Sequence, residues 1–128
     1  MIPKELKYHA EHEWVRIKGV IAVLGITDYA QEALGDVVFL ELPSIGNAVT
    51  AGQEIGEVES TKTTSSIFTP VSGRIIGINE ALKDKPELIN KEPYGQGWIA
   101  QIEMSNPNEL QKMMDAKQYE AYLKEEAR

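Results

Sequence analysis

Hydrophobic and polar positions alternate over short runs through most of the chain, and that period of two predicts strands. Glu13-Trp14-Val15-Arg16-Ile17-Lys18 alternates over its whole length, the pattern of a half-buried strand. Gly19 breaks the run, and residues 20–24 give a second, more apolar strand. Residues 36–42 form a β-rich stretch closed by Pro43, residues 74–79 follow the turn Pro70-Val71-Ser72-Gly73, and residues 98–104 close the β part. Residues 53–59 and 63–69 flank a very short connection at Ser60-Thr61-Lys62, a hairpin whose tip lacks the usual Asn-Gly or Asp-Gly.

Three stretches leave this period. Residues 28–35 read as a short helix with Asp28 as cap, Gln31 three positions on and Gly35 as the stop. Residues 80–96, punctuated by Pro86, Pro93 and Gly95, read as an irregular surface connection. After the β part the period becomes helical. Asn106 is the expected N-cap, Pro107 the first helical residue and Glu109 the capping-box partner, with Leu110, Met113 and Met114 as the apolar face. Asp115 is expected to cap a second helix that turns Tyr119, Tyr122 and Leu123 inward. The pattern predicts one mainly β domain over residues 1–128, with a β core about 6–104 and a C-terminal helical segment about 106–127.

Composition narrows the function. The 128 residues suit one domain, and 42% hydrophobic with 26% charged residues is ordinary for a globular chain. There is no cysteine, which excludes disulfides, thiolate catalysis and Cys-ligated metal centres. A formal charge of −7 argues against nucleic acid, whose phosphates reward clustered Lys and Arg. The N-terminal residues lack the apolar run of a secretory signal, and residues 20–26 are too short to span a bilayer. The expectation is a cytoplasmic protein that engages no membrane, or one of the mitochondrial matrix if this is a mature eukaryotic form. No nucleophile–base arrangement, phosphate-cradling loop or zinc-ligand spacing is present, so a stand-alone enzyme is not expected. His9 and His12, three apart on a strand-like segment, are expected on opposite faces, which makes a metal site from them improbable. Trp14 and Trp98 read as core aromatics, and Glu125-Glu126 as a solvated helix end.

The most informative feature is where the basic residues are not. From Gly19 through Gly73 the only one is Lys62, among seven acids: Asp28, Glu32, Asp36, Glu41, Glu54, Glu57 and Glu59. Its neighbours Ser60, Thr61, Thr63, Thr64, Ser65 and Ser66 are small and hydroxylated. A lysine at a hairpin tip with no bulky neighbour meets the requirements of a swinging-arm attachment site: reach, an unhindered stem and a rigid support. The surrounding carboxylates offer a partner enzyme an acidic face to read. The plain alternative is a solvated turn lysine balancing Glu57 and Glu59, and residue pattern alone leaves the two readings even.

The segment Gly56-Glu57-Val58-Glu59-Ser60-Thr61-Lys62, continuing through Thr69-Pro70-Val71-Ser72-Gly73, resembles the lipoyl-attachment region of the glycine cleavage system H proteins. So do His12-Glu13-Trp14, Gly25-Ile26-Thr27-Asp28-Tyr29-Ala30-Gln31, Leu34-Gly35-Asp36-Val37-Val38, Pro86-Glu87-Leu88-Ile89-Asn90 and Pro93-Tyr94-Gly95-Gln96-Gly97-Trp98, in order and spacing. The resemblance implies a lipoyl-domain fold, a barrel-sandwich hybrid of two antiparallel sheets with a short internal helix and C-terminal helices. It implies lipoate in amide linkage to Lys62 and a carrier with no active site of its own. Its partners would be a pyridoxal-phosphate glycine decarboxylase, a tetrahydrofolate-dependent aminomethyltransferase, a dihydrolipoyl dehydrogenase and a lipoylating enzyme, each met transiently by a monomer. Glu57 and Glu59 would guide lipoylation, Glu59 being the nearer, and Glu13 would contact the arm. One departure stands out. Where the family usually has an acid four residues after the lysine, this chain has Ser66, which carries no charge to pair with an amine. Lesser departures are Thr61 and the pair Thr63-Thr64, where small apolar residues are commoner. A lipoyl carrier serving another pathway, such as sulfur oxidation, an unmodified binding module and a biotin carrier are the alternatives. The last usually flanks its lysine with methionines.

Overall fold

The computed structural model describes residues 2–126. Among the described residues nine strands form two antiparallel sheets: β1 (Lys7–Tyr8), β2 (Glu13–Lys18), β3 (Ile21–Ile26), β4 (Val37–Glu41), β5 (Ala48–Val49), β6 (Glu54–Ser60), β7 (Thr64–Phe68), β8 (Gly73–Ile78) and β9 (Ala100–Met104). Six run in the order β1-β2-β3-β9-β8-β5 and three in the order β4-β6-β7, so neither sheet closes on itself. Four α-helices accompany them in the described residues: α1 (Asp28–Leu34), α2 (Ala81–Asp84), α3 (Leu88–Lys91) and α4 (Ala116–Glu126). The fold is mainly β, as expected. No helix among the described residues is long and apolar enough to cross a membrane.

The main core lies between the sheets. Val15, Leu24, Ile75 and Ile102 from the larger sheet meet Leu40, Val58 and Ile67 from the smaller one. A second cluster, Leu6, Tyr8, Trp14, Val23 and Tyr119, lies on the opposite face of β2 and β3. This explains one departure from the pattern: β2 is buried at Glu13, Trp14 and Val15 alike because both its faces are covered there, while Arg16 is half-buried and Ile17 and Lys18 are exposed. Tyr119 of α4 stacks on Tyr8 with ring centroids 4.6 Å apart, which closes the second cluster.

Several local expectations change for identifiable reasons. The cap of α1 is Thr27, whose hydroxyl accepts from Ala30 N, while Asp28 is the first helical residue. Gly35 ends the helix at φ 81°, a conformation that costs other residues a Cβ clash. The stretch 80–96 contains α2 and α3, two single turns that bury Leu82 and Ile89. Pro107–Lys112 is a 3₁₀ helix, and Asn106 makes no side-chain cap. The expected capping glutamate is engaged elsewhere: Glu109 accepts from Ser72 N at 2.7 Å and from the Ser72 hydroxyl at 2.8 Å. Asp115 does cap α4, in a reciprocal pair with Gln118. Residue 127, the end of the expected helical segment, lies outside the described residues.

Candidate functional site

Strands β6 and β7 form the hairpin that carries Lys62. Its tip is a two-residue connection, Thr61-Lys62, closed by Ser60 N donating to Thr63 O at 2.8 Å. Neither tip residue has a positive φ, so the primed turns that suit Asn-Gly are not used. A side chain closes the turn instead. The Ser60 hydroxyl is buried; it accepts from Lys62 N at 3.3 Å and Thr63 N at 3.1 Å and donates to Thr63 O. Thr61 N donates to Asp36 O at 3.0 Å, which ties the tip to the chain leaving α1. Replacing Ser60 by alanine should cost about 1–2 kcal/mol, because two tip N–H groups lose their acceptor. The amides of Lys62 and Thr63 should then exchange faster with solvent, and unchanged exchange would mean the hydroxyl does not hold the turn.

Lys62 is exposed. Its ammonium has no ion pair within 4.0 Å among the described residues, so it does not balance Glu57 or Glu59. The stem passes over Gly35, where a β-carbon would sit 3.4 Å from Lys62 Cε. A β-carbon there would make only ordinary van der Waals contact with the stem, so the glycine is required by the left-handed helix end and not by the lysine.

Beside the hairpin runs a groove of about 300 Å³, bounded by α1 and by the turn that precedes β2. Apolar side chains of Ile26, Ala33, Leu34 and Val58 line it, with His12, Glu13 and Tyr29 supplying polar groups. The β7 edge forms another wall. Closure of the hairpin at Ser60 and Thr63 sets the alternation, so the N–H and C=O of Thr64, Ser66 and Phe68 point away from β6. Phe68 N donates to Glu13 Oε2 at 2.9 Å, whereas the N–H groups of Thr64 and Ser66 have no protein acceptor among the described residues.

Glu13 is 1% exposed, and its other oxygen accepts from the His9 ring at 2.9 Å. Burial pushes its carboxyl above the usual value of 4.5, with the hydrogen bonds from His9 and the Phe68 N–H working against the rise. The folded chain thus holds this proton more tightly than the unfolded chain does. The stability this contributes is fully present below pH 4.5 and is lost as pH rises through the raised folded value. With neutral Glu13→Gln as reference, the wild type should lose relative stability as pH rises above 4.5 in urea unfolding. A gap that stays constant, or moves the other way, would contradict the buried assignment.

Of the five residues singled out from the sequence, Glu13 and Ser66 line the groove, and Lys62 stands at the hairpin tip next to the lining residue Thr63. The Ser66 hydroxyl donates to Glu54 Oε1 at 2.8 Å, so it is already engaged. Glu57 and Glu59 lie on the outer face of the small sheet, paired across strands with Ser66 and Thr64. Sequence reasoning gave no site role to Tyr29, Ala33 and Leu34, which α1 brings to the groove, although Tyr29 and Leu34 fall in segments that carry the resemblance. It also misplaced His12. That residue is in a turn at φ 73°, with Nδ1 2.8 Å from the Tyr119 hydroxyl and Nε2 3.0 Å from Glu126 Oε2. Glu126 is therefore a tether of α4 to the groove and not a purely solvated helix end.

A family model described as Glycine cleavage H-protein matches residues 6–126. The glycine cleavage system H protein of Carboxydothermus hydrogenoformans is 46% identical over 126 residues, covering 98% of this chain and 97% of the relative. That of Symbiobacterium thermophilum is 49% identical over 124 residues, covering 97% of each. The crystal structure of a glycine cleavage system H protein from Mycobacterium marinum superposes with a TM-score of 0.84 at 38% identity, covering 99% of this chain and 100% of that one.

Proposed function

The chain belongs to the glycine cleavage H-protein family, and on that premise we propose that it is a monomeric, non-catalytic lipoyl carrier with Lys62 as its attachment site. The observation that carries this is the placement of Lys62: exposed, without an ion pair among the described residues, on a turn fastened by Ser60 and Asp36, and followed in the chain by Thr63, which lines the groove. The residues fit the group. Acylation forms one bond, from Lys62 Nζ to the lipoyl carbonyl carbon, and removes a charge that no ion pair in the described structure requires. The apolar groove suits an alkyl chain, and Glu13 suits an amine: each of its oxygens retains a lone pair beyond the hydrogen bond it accepts.

Lipoate, when attached, supplies a disulfide that takes up the aminomethyl carbon released from glycine and is restored by reoxidation. The chain's own residues present and shelter. The β6–β7 turn fixes the origin of the arm, its stem passes over the end of α1, and the groove holds its far end out of water. Partner enzymes of the glycine cleavage system load, unload and reoxidise the arm in turn.

Protein made in lipoylating cells supplied with lipoate should gain the mass of one lipoyl group, mapped to the peptide containing Lys62. Reconstitution with a glycine decarboxylase should then give glycine decarboxylation that depends on the modified lysine. No mass gain, beside a known acceptor modified in the same cells, would refute the carrier reading. A fully lipoylated sample that stays silent with the decarboxylase would point to a carrier for another pathway.

A further inference from the structure

The outer face of the small sheet has a feature that arm attachment does not use. β4 carries a bulge between Val37 and Phe39 in its pairing with β6. Without the extra residue Phe39 would point inward, as Val37 does. With it, Val38 and Phe39 are 48% and 57% exposed, and Leu40 takes the inward position at 6%. Bulges re-aim side chains in this way where a surface needs them. Phe39 pairs across β6 with Glu59, which pairs with Thr64, and this is the first outward-facing row behind the Lys62 tip.

Phe39 and Ile45, the latter 60% exposed, rim a groove floored by Leu40, Leu42 and Leu82. The adjacent row holds Glu41 and Glu57 directly opposite each other. The one cation on the groove, Lys83, is paired with Glu80 at 2.7 Å. Like charges side by side weaken a sheet, and a half-exposed phenylalanine forgoes burial. Both features become favourable against a surface that is apolar at its centre and basic at its rim.

We propose that the face formed by Phe39, Ile45, Glu41, Glu57 and Glu59 is the docking surface for the enzyme that acylates Lys62. That enzyme would place an apolar side chain between Phe39 and Ile45 and lysine or arginine side chains against the three glutamates. The proposal rests on the carrier reading. It adds a contact with the protein fold, so recognition does not depend on the lysine and its sequence neighbours alone.

The test follows lipoylation by a purified ATP-dependent lipoate ligase across carrier concentrations, for the wild type, Phe39→Thr, Ile45→Thr and, as control, Val20→Thr. Val20 is exposed in the turn between β2 and β3, away from this face. Threonine keeps the strand propensity of position 39, and Ile45 lies outside the strands, so the second variant stands if the first fails to fold. Each rim variant should raise KM about tenfold with kcat unchanged, the size expected of an aromatic or aliphatic anchor, while the control matches the wild type. Unchanged KM in the folded rim variants would overturn the docking surface while leaving the carrier reading intact. A wild type that takes no lipoate on Lys62 would remove both.

Discussion

Lys62→Arg will give a folded protein that takes up no lipoate and supports no glycine decarboxylation. Arginine keeps the positive charge and most of the stem, but its delocalised guanidinium has no free amine to acylate. The stability change should stay within about 0.5 kcal/mol, because the side chain is exposed and makes no ion pair in the described structure. Intact mass, a melting curve and exchange of the glycine carboxyl with bicarbonate in the presence of the decarboxylase check the three parts. A Lys62→Arg protein that still gained a lipoyl group would move the attachment site elsewhere. One that unfolded would show that the lysine supports the turn.

Gly56→Ala should produce the largest loss of stability among single-methyl additions to the lysine hairpin. A β-carbon at 56 would lie 2.3 Å from the main-chain oxygen of Glu41, so β4 and β6 must separate to admit it. Overpacking of this kind costs typically 1–3 kcal/mol, and a main-chain obstacle puts this case at the upper end, about 3 kcal/mol. For a domain of this size that lowers Tm by roughly 10 °C. Gly77→Ala is the matched control. Its methyl meets the end of the Gln101 side chain at 3.2 Å, which can move, and the cost should stay below about 1 kcal/mol. Equal melting temperatures for the two variants would show that the β4–β6 contact is softer than its geometry implies. Because the strain falls on the hairpin's own support, lipoylation of Gly56→Ala should slow even at temperatures where the protein remains folded.

The parts of the fold legible in the sequence were those set by local chemistry. Alternation and short apolar runs located seven of the nine strands among the described residues, β1 and β5 being two residues each and too short to show a period, and the solitary Lys62 among acids marked the tip whatever its turn type. What was not legible depended on partners distant in the chain. Glu109 has the spacing of a capping residue, but Ser72, 37 positions earlier, offers it an N–H and a hydroxyl together. Glu13 opens an alternating strand with nothing in the pattern to mark its burial, which follows from β7 setting the Phe68 N–H against it. The bulge that turns Phe39 outward leaves no mark in the hydrophobic pattern, because a buried and an exposed phenylalanine are written with the same letter. His12 was misread because its left-handed backbone breaks the strand geometry that an alternating pattern assumes.

The unpaired rim of β7 has a consequence for crowded solutions. A strand with free N–H and C=O groups is a template on which a second molecule can add its own strand, the usual route to aggregation. Here that template is cut short at both ends. The strand has five residues, its last outward N–H is taken by Glu13, and the turn at Ser60 begins where it starts. The main-chain groups of Thr64 and Ser66 and the carbonyl of Phe68 remain as a foothold, too few for a stable ladder between copies. The open wall of the groove is thus short enough to keep neighbouring molecules from zipping together.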